Sequence, residues 1–157
     1  SAKLQALSAD HLEASVEEDF LALKASGTYP IALPGACLGL GMAFPKCRRM
    51  LDAGLPLVIA SDWNPGSAPS GDLILQAAIL AVYEKLTVAE TLAAITCRAA
   101  SALTLKDRGV LKENLKADFV VFPTSDHRDI LYCQGALKPL YSVIDGIPYY
   151  FGATVES

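Results

Sequence analysis

Apolar and polar positions follow one rhythm in the first hundred residues and another in the last fifty. Leu7-Ser8-Ala9 is a short apolar segment that runs into Asp10-His11. From Val16 to Ser26 the apolar residues Val16, Phe20, Leu21 and Leu23 fall at helical spacing, and Gly27 stops the run. Tyr29 to Leu33 reads as a short strand ended by Pro34-Gly35, and the glycines at 35, 39 and 41 predict a loop. Pro45 opens a second helix through Cys47, Met50 and Leu51, which stops at Gly54. Leu57-Val58-Ile59-Ala60 is wholly apolar, as expected of a strand buried on both faces of a parallel sheet. Ser61 to Gly66 is a turn. A long helix follows from Ser70 to Glu84, then a capping box (Thr87 and Glu90) opens a helix through Ile95, and a short helix covers Arg98 to Leu103.

Strand and helix thus alternate three times, the signature of βα units with right-handed crossovers. After Leu105 the pattern changes to short strand candidates at 109–111, 119–122, 140–144 and 148–151, with a hairpin signal at Asp145-Gly146. The expected fold class is therefore α/β, with residues 1–105 supplying βα units and residues 106–157 a small β unit. Three βα units do not close a barrel, which takes eight units and typically about 250 residues. They leave apolar strand edges for something else to cover.

Composition sharpens this picture. The 157 residues are 52% hydrophobic and 19% charged, with mean hydropathy +0.34, which suits a piece lacking a partner surface. A start at Ser1-Ala2 without Met points the same way. The net charge of −4 leaves no basic stripe to neutralise phosphates, so nucleic acid is not an expected partner. Lys46, Arg48 and Arg49 read as a solvated helix face. No apolar run approaches the roughly 18–20 residues of a membrane span, and no signal-peptide pattern opens the chain. Cys37, Cys47, Cys97 and Cys133 show no CxxC spacing, and are expected to be buried thiols of a protein in the reducing cytoplasm.

Two polar residues stand directly after apolar strands, where parallel α/β architectures gather their chemistry. His11, taken locally, reads as a hydrogen-bonded structural residue. Asp62, before Trp-Asn-Pro-Gly, reads as a turn former whose carboxylate caps backbone N–H groups. Its catalytic reading is a metal ligand that also takes a proton from water. His127, in Ser125-Asp126-His127-Arg128, reads as a surface helix start.

Three strings extend the local reading: SADHLE at Ser8 to Glu13, LPGA at Leu33 to Ala36, and ASDWNPGS at Ala60 to Ser67, one on each βα unit. With the stretch from Thr87 to Phe122, they resemble the amidohydrolase superfamily, and within it the imidazolonepropionase family. The resemblance implies a partial TIM-type (β/α) barrel, strands 6 to 8, followed by strands of a small β-sandwich. It implies that Asp62 is the strand-8 aspartate, binding a single metal (Zn or Fe) and shuttling protons. His11 becomes the strand-6 histidine beside the nucleophilic water, and Asn64, Gly66 and Ser67 hold a small-molecule substrate. The implied reaction is hydrolysis of the cyclic amide of 4-imidazolone-5-propanoate to N-formimidoyl-L-glutamate.

The family site also needs an H-x-H pair, a further histidine and a glutamate behind it, while this chain holds two histidines in all. Metal binding by the chain alone is therefore expected to be weak or absent, and the chain alone inactive. Its expected partner is the missing N-terminal half or further copies of itself. Two other readings stand beside this one: a non-catalytic self-associating half-barrel, and another amidohydrolase such as a deaminase or cyclic-imide hydrolase. Asn114 and Thr104 stand where the superfamily usually has glycine, and the loop CLGLGMAFP is less aromatic than the family pattern.

Overall fold

The computed structural model describes residues 2–151. Three parallel strands, β1 (Ser8–Asp10), β2 (Tyr29–Ala32) and β3 (Val58–Ile59), form one sheet in that order. Ser8 pairs with Tyr29, and Ile31 with Val58. Helix α1 (Glu17–Ser26) crosses from β1 to β2, while α2 (Pro34–Leu40) and α3 (Cys47–Asp52) cross from β2 to β3. After β3 come α4 (Leu73–Glu84), α5 (Val88–Ile95) and α6 (Cys97–Ala102). A second sheet, antiparallel in the order β4 (Phe119–Val121), β5 (Tyr141–Ile144), β6 (Ile147–Tyr150), completes the chain, with the one-turn helix α7 (Asp129–Tyr132) between β4 and β5. The chain is therefore α/β with two small sheets.

The core lies where the helices meet the parallel sheet. Phe20 and Leu23 of α1, Cys47 and Met50 of α3, Leu57 and Ile59 around β3, Leu80 of α4 and Ala94 of α5 make one buried cluster. Leu57 is fully buried although β3 itself spans two residues, so the apolar run reports burial over a longer stretch than the hydrogen-bonded ladder. Local chemistry sets the ends of the helices. Thr87 Oγ1 accepts from Glu90 N–H at 3.2 Å and Glu90 Oε2 accepts from Thr87 N–H at 2.8 Å, the capping box expected of that pair. Helix α4 starts at Leu73 rather than Ser70, because Asp72 is the residue whose carboxylate accepts from Leu75 N–H, at 2.9 Å.

The glycine-rich segment expected as a loop is helix α2, with Pro34 in its first turn and Gly41 ending it at φ 65°. Its glycines serve close packing. A Cβ on Gly35 would lie 2.5 Å from the Ser61 carbonyl oxygen, and one on Gly39 would lie 1.8 Å from that of Ser67. The strand expected at 109–111 does not form. Gly109 turns the chain at φ +93°, and a Cβ there would meet Ala100 Cβ at 2.7 Å, so the segment leaves α6 through a close contact instead of entering a sheet. Asp145 and Gly146 (φ 50° and 80°) join β5 to β6 as the expected tight hairpin. Thr104 (φ 60°) and Asn114 (φ 67°) both adopt the positive φ for which glycine is the usual residue.

All four cysteines are free; Cys37 and Cys47 are buried, while Cys97 and Cys133 are half-exposed. Among the described residues no helix is long and apolar enough to cross a membrane. The basic residues of α3 are engaged in ion pairs. Arg48 forks onto Glu90 of α5 (2.9 and 3.0 Å) and donates to Asp52 at 2.9 Å, and Arg49 pairs with Glu17 of α1. The Arg48 guanidinium, helped by the Thr87 amide, holds Glu90 down at about 2, from an ordinary value of 4.5. A carboxylate whose folded pKa is depressed stabilises the fold above its unfolded value, and that stability is lost as pH falls from about 4.5 toward 2. With solvent screening of this partly exposed pair, Glu90→Gln is expected to cost about 1 kcal/mol at neutral pH, or about 2–4 °C in Tm. Thermal melts of both forms from pH 7 to pH 2 check this: the difference should shrink through that acid window.

Candidate active site at the carboxyl ends of the parallel strands

The carboxyl ends of β1 and β3 carry His11 and Asp62, with β2 between them. Two strand spacings separate the two chains, roughly 10 Å. Neither residue has ordinary backbone geometry: His11 has φ 70°, Leu12 φ 75° and Asp62 φ 51°. Histidine and aspartate tolerate this region better than most residues, whereas a leucine there is an outlier. Each such position costs of order 1–2 kcal/mol, and residues held this way cluster at functional sites. Leu12 is kept in place by packing against the core cluster.

The Asp62 loop is pinned along its length. Asn64 is its hub: Nδ2 donates to the Asp62 carbonyl (2.6 Å), the Asp62 carboxylate (3.3 Å) and Ser67 Oγ (3.2 Å), and Oδ1 accepts the backbone N–H groups of Gly66 and Ser67, each at 2.9 Å. Asn64 N–H also donates to the Ala68 carbonyl at 3.0 Å. Trp63 lies exposed over Gly71 and donates from Nε1 to the Pro69 carbonyl at 3.2 Å. From below, Gln76 of α4 donates to the Ser70 carbonyl at 2.7 Å, while its buried Oε1 has no partner. The structure thus gathers Asp62, Asn64, Gly66 and Ser67 into one hydrogen-bonded turn. The backbone amides of Gly66 and Ser67 are engaged by Asn64 and so are not free to donate to a substrate. His11 stands on the neighbouring segment, its side chain about half exposed.

Two residues absent from the sequence reading join the site. Glu13, largely buried, brings its Oε1 to 3.5 Å from His11 Nδ1, and Cys37 of α2 donates its thiol to the same oxygen at 3.4 Å. Burial, then the Glu13 carboxylate, pushes the Cys37 thiol up to about 12, so it is a donor at neutral pH. Glu13 was in view as the last letter of SADHLE; Cys37 carried no signal. His127 is exposed beside Asp126 just before α7, as expected for a surface helix start.

As a metal centre, the donor set of this chain falls short. Among the described residues no group of three or more His, Cys, Asp or Glu side chains converges as a metal site, whereas a hydrolytic zinc takes three protein ligands. Asp62 offers one carboxylate. One surface depression lies away from these residues, around Lys46, Arg49 and Lys85, and another, around Leu12, Ser15 and Ala22, borders the site through Glu13.

Polar residues held at positive φ at the carboxyl ends of parallel strands stand where α/β folds place their chemistry, and residues 12–150 match the amidohydrolase family. The chain belongs to that family. Curated relatives narrow the likeness. It is 45% identical over 136 residues to the imidazolonepropionase of Deinococcus deserti, covering 85% of this chain and 34% of the relative. It is 39% identical over 147 residues to that of Paracoccus denitrificans, covering 93% and 36%. The chain thus spans about a third of the length of the relatives it matches. Among solved structures, a zinc-bound adenosine deaminase from Xanthomonas campestris superposes with TM-score 0.80 at 22% identity, over 90% of this chain and 36% of that one. A 5-methylcytosine deaminase from Klebsiella pneumoniae gives 0.77 at 18%, over 99% and 45%. At such identities these establish the fold and leave the reaction open.

Proposed function

We propose that this chain forms the last three βα units (residues 1–105) and part of the small β-sandwich (106–157) of a barrel that acts as an imidazolonepropionase. The observation that carries the reading is the pair His11 and Asp62. Both are held at positive φ at the carboxyl ends of strands in one parallel sheet, in a chain 35–45% identical to imidazolonepropionases. The reaction is hydrolysis of the ring amide of 4-imidazolone-5-propanoate, giving N-formimidoyl-L-glutamate, a step of histidine breakdown. Free thiols suit a cytoplasmic setting.

In this reading Asp62 accepts a proton from the attacking water at its carboxylate and returns it to the ring nitrogen as the C–N bond breaks. His11 orients that water. Asn64, Gly66 and Ser67 set the turn that aims the Asp62 carboxylate and border the propionate side of the substrate. A divalent metal, Zn or Fe, supplies Lewis acidity when bound; the residues here do not make its site alone, so its other ligands belong to the rest of the barrel. That remainder, or a further copy of the chain, also covers the outer edges of β1 and β3.

The test is a chimera in which this chain replaces the matching third of the Deinococcus deserti enzyme. The expected result is loss of imidazolone absorbance on adding substrate and close to one metal per chimera, against far less than one per molecule for the isolated chain by elemental analysis. A folded, metal-loaded chimera that leaves the ring intact overturns the reading.

A further inference from the structure

The turn after β1 has two successive residues at positive φ, His11 and Leu12. The side chain two positions after His11 faces the imidazole across this turn. That side chain is Glu13. Its Oε1 lies 3.5 Å from His11 Nδ1, and it is far more buried than the imidazole it faces: 15% against 54% side-chain exposure. A buried carboxylate needs donors. The Cys37 thiol supplies one, at 3.4 Å from the same oxygen, and stays protonated to do so. His11 Nδ1 faces that oxygen from the solvent side, at 3.5 Å, the outer limit of a hydrogen bond. Cys37 stands in the first turns of α2, whose Gly35 lies against the Ser61 carbonyl beside Asp62. The Glu13 carboxylate therefore ties the β1 turn to the helix that also abuts the Asp62 loop.

We infer that Glu13 is the positioning residue of this site: its carboxylate fixes His11 in the Nδ1–H tautomer and leaves Nε2 free as an acceptor. This rests on the reading of His11 as a site residue, and deepens it. An imidazole whose Nδ1–H is committed to a carboxylate is fixed in orientation, and its other nitrogen gains basicity. His11 then acts on water by accepting an O–H at Nε2, and not by donating to an oxyanion.

The experiment is long-range ¹H–¹⁵N correlation of the imidazole rings in the intact chain at alkaline pH, where both rings are neutral. The sequence holds two histidines, so exposed His127 is an internal reference. Free imidazole side chains favour the Nε2–H form. The expected spectrum has His11 as Nδ1–H and His127 as mainly Nε2–H. Glu13→Ala should return His11 to mainly Nε2–H, while Glu13→Gln, whose amide oxygen still accepts, should keep Nδ1–H. In the active chimera Glu13→Ala should lower kcat about 10–100-fold with KM little changed, and Glu13→Gln should recover most of it. A wild-type His11 in the Nε2–H form overturns the assignment whether or not the variants fold. So does an Nδ1–H form that survives Glu13→Ala. An inactive chimera whose His11 is Nδ1–H overturns the functional reading and leaves this one standing.

Discussion

Asp62→Asn in the active chimera is expected to lower kcat by at least about 10³-fold and to cut metal occupancy, with the melting temperature of the metal-stripped protein nearly unchanged. Side chain and backbone of Asp62 have separate tasks. The strongest contact at this residue, Asn64 Nδ2 to the Asp62 carbonyl at 2.6 Å, uses a main-chain oxygen that the substitution leaves alone. The side chain adds one longer contact to Asn64, at 3.3 Å, and asparagine offers an oxygen there too. Asparagine also tolerates a φ of 51° as well as aspartate does. The fold should therefore notice the change by no more than about 0.5 kcal/mol. The chemistry should notice it fully, because an amide neither takes a proton at neutral pH nor gives a metal an anionic oxygen. General-base removal alone is worth roughly 10²–10⁴. Activity assays and metal analysis on one preparation, with a thermal melt after its metal is removed, decide it. If Asp62 is only a turn former, activity survives. Asp62→Gly extends the logic: relief of the positive φ should raise the melting temperature of the metal-stripped protein slightly while abolishing turnover, the signature of strain kept for function.

How much of this was legible in the sequence depends on the range of the interactions involved. The strand in the wholly apolar run Leu57 to Ala60, the Thr87–Glu90 box and the Asp145-Gly146 hairpin all appear where their residues place them, because each is decided within a few positions. Helix α2 was hidden because glycine reads as loop. Its glycines are there for the carbonyls of Ser61 and Ser67, which lie nearly thirty residues further along the chain. The Asn64 turn was half legible. Asn-Pro-Gly-Ser is an Asx-turn string, and reading it so would have shown the Gly66 and Ser67 amides turned inward onto Asn64. The placement of His11 and Asp62 after parallel strands followed from alternation alone. The contact between Glu13 and His11 did not, since the residue types at 11 to 13 do not show which way the imidazole turns or that Cys37 lies against the same carboxylate.

Many of the large apolar side chains left exposed belong to the barrel-type half: Leu21, Leu38, Leu40, Val82 and Tyr83 are each at least 47% accessible. Sheet order leaves β1 and β3 with one paired edge each. An open parallel sheet with uncovered apolar helices suits the proposed place of this chain in a larger barrel, since parallel sheets have both faces covered and exposed sheet edges invite pairing. The same reasoning explains why the site is a face and not a pocket in this chain.

The opposite sign from helix propensity is expected for Gly39→Ala. Within a helix, glycine to alanine ordinarily stabilises by about 1 kcal/mol, and Gly39 sits in α2 and is exposed, which on those grounds alone invites the exchange. The added Cβ, however, would lie 1.8 Å from the Ser67 carbonyl oxygen and 2.9 Å from its carbon. Both are backbone atoms, so no side chain can swing aside. Either α2 moves off the loop or the loop moves off α2. The loop is held by Asn64 through the Ser67 N–H and hydroxyl, and α2 is held by buried Pro34, Ala36 and Cys37; neither yields without losing contacts. The expected net cost is about 1–3 kcal/mol, read as a lowered melting temperature. Because the displaced carbonyl belongs to the turn that aims Asp62, kcat of the chimera should fall with it, though no reacting group has been touched. A melting temperature that rises, as propensity alone requires, would show that α2 and the Asp62 loop are not in the contact described.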